Sequence, residues 1–297
     1  MSLNNIDILD QFMSHLRDYR KTSENTLSAY SRDLNSFLAY LDTNGVSLND
    51  VTDIHVSEYK NILIANGKSV ATVSRSMSAL RTLYKFLTVK GLIVVNPTAR
   101  VKNDKTEKKF FEVLTEDEID KLLSLPDSSD FKGKRDKAML EILYATGMKV
   151  SELMSLNVSD VNIKMSFIHC KGNKDRVIML YPGAVKILSD YMLKSRTYFV
   201  TDPLEDALFV NTNGERMTRQ GFWKLLKQYA DLAGISKTIT PHTLRHSFAT
   251  HLLENGADIN DIKNILGHSD ISSTNVYSDF IKSKNNVSYL KFNHRSK

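Results

Sequence analysis

The stretch Pro241-His242-Thr-Leu-Arg245-His246-Ser-Phe-Ala-Thr250 carries the most information about the fold. Proline suits the first position of a helix, so we predict a helix that begins near Pro241. On that helix His242 and Arg245 lie one turn apart on the same face. Two such side chains can address one anionic group together.

A second group of chemically active side chains follows this helix. Ile265-Leu-Gly267-His268 places a histidine directly after a glycine, and Tyr277 comes shortly afterwards. Gly267 permits a tight turn that can point His268 back towards the preceding helix. A single histidine on a helix is usually structural or solvated, and a single tyrosine is usually half-buried core. The occurrence of His242, Arg245, His268 and Tyr277 together, in this order, favours a functional site.

The composition is that of an ordinary globular protein. The 297 residues are 41% hydrophobic and 25% charged, and this length suggests roughly two domains. Forty Lys and Arg against 34 Asp and Glu give a formal net charge of +6, which favours polyanionic partners. Cys170 is the single cysteine, so no intramolecular disulfide can form and a reducing compartment is expected. Without an apolar span or a signal core, we predict a cytoplasmic protein with no membrane partner.

Helical periodicity dominates the first hundred residues. Two apolar stripes recur at spacings of three or four, and two further helices are predicted over residues 51–65 and 70–89. Gly45 and Gly67 stand where the patterns stop. Four short helices predict an all-α domain over residues 1–100. The stripes are Ile8, Phe12, Leu16 and Tyr19, then Leu27, Tyr30, Leu34, Phe37, Leu38 and Leu41.

The fourth of these helices carries a cationic face. Arg75, Arg81, Lys85 and Lys90 are interleaved with serines and threonines. Small hydroxyl side chains beside long cations suit a helix that lies against phosphates, because neither blocks close approach. A solvated polar face would show the same pattern. Both interpretations stay open.

A charged linker separates this domain from the rest. Residues 101–112 include Lys102, Lys105, Lys108 and Lys109 and show no apolar period, which is typical of an exposed connection. Thr115-Glu-Asp-Glu118 then predicts a capping box that opens a helix. We therefore predict that the second domain begins near Phe110, and we assign residues 113–297 to it.

Two short β-prone runs lie in the second domain. Phe167-Ile-His-Cys170 and Arg176-Val-Ile-Met-Leu180 flank a Gly-Asn turn and predict a hairpin. Leu208-Phe-Val210 is expected to add a third strand. The larger half is therefore predicted to be α+β.

Five ordered motifs resemble those of the tyrosine site-specific recombinases of the phage-integrase family, close to the Xer type. His242-Thr-Leu-Arg245-His, Leu266-Gly-His268 and Tyr277 match its second arginine box, third histidine and nucleophile. Thr146-Gly-Met-Lys-Val-Ser-Glu-Leu153 matches the first arginine box except at one position, and Cys170-Lys-Gly-Asn-Lys-Asp-Arg176 resembles the β-hairpin lysine motif. Asn25-Thr-Leu-Ser-Ala-Tyr30-Ser-Arg-Asp-Leu34 is similar to the core-binding domain. The resemblance implies a mainly α core-binding domain and an α+β catalytic domain with a small β-hairpin sheet.

The resemblance also implies a reaction. In this family a tyrosine attacks a DNA phosphodiester to give a 3′-phosphotyrosyl enzyme and a free 5′-hydroxyl, and a partner strand reverses the step through a Holliday junction. Neither ATP nor a metal takes part, so no cofactor is expected. Tyr277 would be the nucleophile, while Arg245, the residue at 149 and His268 would stabilise charge on the nonbridging oxygens.

Two further side chains would move protons. The ordinary pKa of a phenol is near 10, so the nucleophile needs a base or cation nearby, and His242 is the candidate. Lys171 would donate a proton to the departing 5′ oxygen, with Lys174 as the nearby substitute. Glu152 is expected to orient local structure.

Lys149 departs from the family pattern, which has arginine at this position. A guanidinium grips two phosphate oxygens in a fork, whereas an ammonium is a compact point charge. We expect catalysis to be slowed by about two or more orders of magnitude, because one lost charge-stabilising contact costs roughly 2.7–4 kcal/mol.

The partners implied are double-stranded DNA and further protomers. Both domains would close round the duplex, and we expect DNA contacts from Arg75, Arg81, Lys85, Lys174 and Arg176. Four protomers, identical or of two kinds, would assemble on two DNA sites. The apolar residues after Tyr277 permit docking into a neighbouring protomer and equally permit packing within their own chain.

Two other functions compete with a recombinase that serves chromosome dimers or a mobile element. A non-catalytic DNA-binding protein of the same fold is credible because of Lys149. A type IB topoisomerase shares the phosphotyrosyl chemistry. The two-domain length, the helical N-terminal half and the amino-acid sequences of the motifs favour the recombinase.

Overall fold

The computed structural model describes residues 5–101, 111–172 and 175–267. The chain divides into two compact units, Met1–Lys109 and Phe110–Lys297. Each unit has its own core of buried apolar side chains. Most of the predicted linker, all of residues 102–110, lies outside the described residues.

Four long helices form the described part of the first unit: α1 (Asn5–Asp18), α2 (Glu24–Thr43), α3 (Asp53–Ala65) and α4 (Val70–Val89). Ser23 and Ser69 cap α2 and α4, because their hydroxyls accept the backbone N–H groups of Thr26 and Thr72. Gly45 and Gly67 follow the ends of α2 and α3 with positive φ. The predicted all-α architecture is therefore confirmed.

One member of the first apolar stripe was wrongly predicted to be buried. Ile8, Phe12 and Leu16 are buried on α1, but Tyr19 is 82% exposed. Helix α1 ends at Asp18, so the helical period that would turn Tyr19 towards the core does not reach it. Its ring stacks instead on His15, with 5.5 Å between the ring centroids.

The second unit contains eight described α-helices. These are α5 (Glu116–Ser124), α6 (Phe131–Thr146), α7 (Val150–Ser155), α8 (Pro182–Asp190), α9 (Thr197–Phe199), α10 (Arg219–Leu232), α11 (Pro241–Glu254) and α12 (Ile259–Leu266). The predicted capping box opens α5, where the Thr115 N–H donates to Glu118 Oε2 over 2.7 Å and the Glu118 N–H donates to Thr115 Oγ1 over 3.1 Å. Helix α11 begins at Pro241, as predicted.

A small antiparallel sheet accompanies these helices. Its strands are β1 (Val161–Asn162), β2 (Phe167–Cys170) and β3 (Arg176–Met179), in the order β1-β2-β3. The β2–β3 hairpin confirms the prediction, with Cys170 paired to Arg176. The third strand was wrongly placed at Leu208–Val210, where only Val210 forms an isolated bridge, with Arg216. That apolar run is buried by packing, and β1 takes the edge position.

Helices α6 and α11 form the centre of the second unit and pack against each other. Helix α6 is buried on nearly all sides from Ala138 to Thr146. The buried His251 of α11 links Tyr144 of α6 to the carbonyl of Leu114 through contacts of 2.9 and 2.8 Å. This network fixes the helix that carries His242 and Arg245. In the described ranges we find no helix long and apolar enough to cross a bilayer.

Candidate active site

Arg245 joins three segments that are far apart in the sequence. Its side chain projects from α11 and is only 4% exposed. Nη1 donates to the carbonyl of Gly147 over 2.6 Å, and Nη2 donates to the carbonyl of Leu266 over 2.7 Å. The guanidinium therefore ties the second arginine box to the first box and to the segment before His268.

The Gly147 junction leaves no room for a side chain. Gly147 ends α6 with φ of +57°, and a Cβ there would lie 2.2 Å from Cδ1 of Phe248. Only glycine fits both the left-handed backbone and the close approach of α11. The carbonyl that accepts the bond from Arg245 is thus held by packing on both sides.

Arg176 forms a second junction in the same region. Its Nη1 and Nη2 bind the two carboxylate oxygens of Glu152 over 3.2 and 2.9 Å, while Nε donates to the carbonyl of Ile265 over 2.7 Å. The side chains of Arg176 and Glu152 are 8% and 11% exposed. Gly267 packs beside them, since a Cβ there would lie 2.9 Å from Nη1 of Arg176. The hairpin, α7 and the end of α12 therefore meet at one bidentate ion pair.

The charge of Glu152 is maintained by its partners. Burial alone raises the pKa of this carboxyl group. Hydrogen bonds from Arg176 and from the backbone N–H of Lys149 outweigh burial, so the net pKa of Glu152 lies below its ordinary value. An ionised Glu152 matches the orienting role predicted for it.

Lys149 lies at the entrance to α7. Its backbone N–H donates to Oε2 of Glu152 over 2.8 Å, and its side chain is half-buried. Its position two residues after Gly147 brings it into the segment that Arg245 anchors. The backbone at this position is fixed by a bond that does not depend on the identity of the side chain.

His242 is exposed in the first turn of α11, while Arg245 one turn later is buried. The imidazole rings of His242 and His246 have centroids 6.4 Å apart. His242 is therefore accessible to solvent at the start of this helix.

Lys171 lies at the end of β2 in an ion pair that the sequence did not predict. Its Nζ is 2.6 Å from Oδ1 of Asp160, a side chain that is only 5% exposed. Hydrogen bonding to Asp160 raises the pKa of Lys171 above its ordinary value. The sequence motif offered no signal for Asp160, which is separated from Lys171 by β1, a turn and β2.

Three predicted site residues lie outside the described residues: Lys174, His268 and Tyr277. So does the C-terminal segment for which docking was considered. Their roles stay predictions. Within the described ranges, no group of three or more His, Cys, Asp or Glu side chains is placed to hold a metal ion.

The predicted DNA contacts differ in how they are held. In the first unit, Arg75 forms a two-point ion pair with Asp33 of 2.7 and 2.9 Å. Arg81 donates to the carbonyl of Val101 over 2.7 Å, and Lys85 is exposed. In the second unit the guanidinium of Arg176 is engaged within the protein. Its geometry favours a positioning role over direct contact with DNA.

Comparisons with known proteins find similar sequences for both units. Residues 112–283 match the Phage integrase family, and residues 9–91 match the phage integrase N-terminal SAM-like domain. Tyrosine recombinase XerD of Oceanobacillus iheyensis is 42% identical over 293 residues, covering 97% of this chain and 98% of that protein. Tyrosine recombinase XerD of Staphylococcus epidermidis is 40% identical over 292 residues, covering 97% and 99%.

A solved structure shares the fold. XerH site-specific recombinase bound to a palindromic difH substrate superposes with a TM-score of 0.71 at 23% identity, covering 93% of this chain and 82% of that one. At this level of identity the likeness concerns the fold alone.

Proposed function

Because this chain belongs to the phage integrase family and is a site-specific tyrosine recombinase that breaks and rejoins DNA, we propose that Tyr277 cuts each strand through a 3′-phosphotyrosyl intermediate. The observation that carries this proposal is the pair of bonds from Arg245 to the carbonyls of Gly147 and Leu266. They bring the two arginine boxes and the segment before His268 to one place. A phosphate bound there would meet cations fixed before the reaction begins.

The chemistry balances with the side chains proposed. The Tyr277 oxygen attacks phosphorus while His242 accepts the phenolic proton, and the bond from phosphorus to the 5′ oxygen breaks. Lys171 gives a proton to that oxygen, which leaves as a hydroxyl. Arg245, Lys149 and His268 stabilise the charge on the nonbridging oxygens. Attack by the 5′-hydroxyl of a partner strand reverses each transfer.

Assembly and location complete the proposal. Four protomers act on two DNA sites through a Holliday junction, in the cytoplasm. The XerH structure is a complex with its difH substrate, which supports a DNA-bound assembly for a protein of this fold. Arg75, Arg81, Lys85 and Lys174 contribute to DNA binding in this scheme.

A covalent capture experiment tests the proposal. Binding sites are first selected from a random DNA pool with the Tyr277→Phe variant. Site-bearing duplexes are then nicked near the cleavage position, so that the short 5′-hydroxyl fragment diffuses away and the covalent complex accumulates. The unchanged protein is expected to form an adduct that survives denaturing detergent, with DNA attached at Tyr277 in peptide mapping.

Other outcomes identify the competing functions. Specific binding without any adduct, for this protein and for the Lys149→Arg variant, would support a non-catalytic DNA-binding protein. Relaxation of a supercoiled plasmid that lacks the selected site would support a topoisomerase. The Tyr277→Phe protein is the matched control, because it keeps the aromatic ring and loses only the nucleophilic hydroxyl.

A further inference from the structure

The ion pair between Lys171 and Asp160 joins an exposed side chain to a buried one. The Lys171 side chain is 58% exposed, whereas Asp160 is 5% exposed. Oδ2 of Asp160 accepts the backbone N–H of Asn157 over 2.9 Å, which leaves Oδ1 for the ammonium. Asp160 ends a 3₁₀ turn and is followed directly by β1, which is paired to β2. The carboxylate is therefore part of the rigid frame, and the lysine reaches to it.

The surroundings of Lys171 differ from those of the neighbouring residue. Cys170 is paired to Arg176 across the hairpin and lies within electrostatic range of Glu152 and Arg245. Among the residues that the structure describes, the carboxylates of Asp160, Asp175 and Asp206 act electrostatically on Lys171. The ammonium is thus held in an acidic environment, while the adjacent residue faces the arginine junctions.

We propose that Asp160 is a positioning residue that holds Lys171 away from the scissile phosphate until DNA competes for the ammonium. This inference rests on the proposed function, in which Lys171 is the general acid. A phosphodiester carries negative charge and can replace the carboxylate as the partner of Lys171. Binding of DNA at the site would then release the proton donor at the position where it is needed.

The restraint is expected to slow cleavage because the paired carboxylate makes the Lys171 ammonium a weaker acid. An ammonium paired with a carboxylate gives up its proton less readily than one beside a breaking bond from phosphorus to oxygen. Partly exposed ion pairs of this kind have modest strength, so removing the Asp160 charge is expected to speed cleavage by about two- to five-fold. The proton still passes from Nζ of Lys171 to the 5′ oxygen as that bond breaks.

The test compares Asp160→Asn with the unchanged protein in single-turnover cleavage of the nicked substrate at saturating protein. Asparagine keeps an oxygen that can accept the N–H of Asn157 and removes only the charge. Two substrates are used, the ordinary phosphodiester and one with sulfur in place of the 5′ bridging oxygen. A thiolate leaves without a proton, so the variant should be faster on the first substrate and equal to the unchanged protein on the second.

Controls separate this effect from general changes in charge. Asp190→Asn removes the carboxylate of another ion pair, with Lys194, and should leave cleavage of both substrates unchanged. Asp160→Asn in a Lys171→Ala background should match Lys171→Ala alone. If Lys171→Ala itself cleaves the ordinary substrate at the normal rate, the assignment of the general acid fails, which is distinguishable from failure of the restraint.

Slower cleavage by a folded Asp160→Asn variant would overturn the proposal, because Asp160 would then be needed to place Lys171 productively. Equal acceleration on both substrates would also overturn it, since the effect would not act through the leaving group. A structure of the full chain bound to its selected DNA tests the same proposal without any substitution. The Nζ to Oδ1 distance is expected to exceed about 4 Å there, and an intact pair beside a bound scissile phosphate would contradict the restraint.

Discussion

Replacing Lys149 with arginine tests whether the lysine at this position limits the rate of DNA cleavage. The perturbation leaves the local backbone unchanged, because the bond that fixes residue 149 runs from its N–H to Glu152. Positive charge is also kept. Only the shape of the cation and the number of hydrogen bonds that it can offer to a phosphate change.

The expected gain follows from that difference. The lost charge-stabilising contact corresponds to roughly 2.7–4 kcal/mol. At 1.36 kcal/mol per decade, single-turnover cleavage should rise by about 100- to 900-fold. The melting temperature should stay the same, since no bond within the described structure depends on the Lys149 ammonium.

The assay is covalent adduct formation on the nicked substrate, followed over time with protein in excess. Lys186→Arg is the matched control, because it makes the same exchange at an exposed position on α8. An increase smaller than two-fold for Lys149→Arg, with DNA binding unchanged, would refute the idea that fork geometry limits this site. Equal gains from both variants would point to DNA affinity instead.

Three further predictions concern the frame around the site. Arg176→Met should lower the free energy of unfolding by about 3–5 kcal/mol in denaturant titrations, because it leaves Glu152 buried without its partner; a loss under about 1 kcal/mol would contradict this. The pKa of Glu152 in the folded state lies below its ordinary 4.5. The stability contributed by the pair of Glu152 and Arg176 is therefore present above pH 4.5 and is lost as the pH falls through the folded-state pKa, so the unfolding free energies of the two proteins should converge in acid. Gly147→Ala should cost about 2–4 kcal/mol through positive φ and the clash with Phe248, and an unchanged melting temperature would exclude that clash. Burial raises the pKa of the Cys170 thiol to about 12, so a disulfide reagent at neutral pH should label it only after denaturation, and rapid native labelling would show that the thiol is accessible.

Local patterns in the sequence predicted the helices and the hairpin because their causes are local. Capping residues, apolar periods and turn residues act within a few positions, so α2, α4 and the start of α5 followed from them. Leu208–Val210 was misread as a strand because an apolar run records burial and carries no information on pairing partners. Tyr19 was misread because the period continued in the sequence beyond the end of the helix.

The site was predictable as a set of residue types but not as a set of contacts. The motifs indicated Arg245, Lys171 and the departure at Lys149. They did not indicate that Asp160 binds Lys171 or that Arg176 is occupied by Glu152, because both contacts join segments whose approach depends on the packed fold. Sequence spacing defines neighbours along one helix or hairpin, and these contacts cross between elements.

The segment at residues 265–267 is held through its peptide oxygens, by Arg176 at Ile265 and by Arg245 at Leu266. No side-chain replacement on the outer surface of α12, such as at the exposed Asp261 or Asn264, removes either attachment. New charges, tags or fluorophores can therefore be introduced at these positions while both backbone attachments are kept.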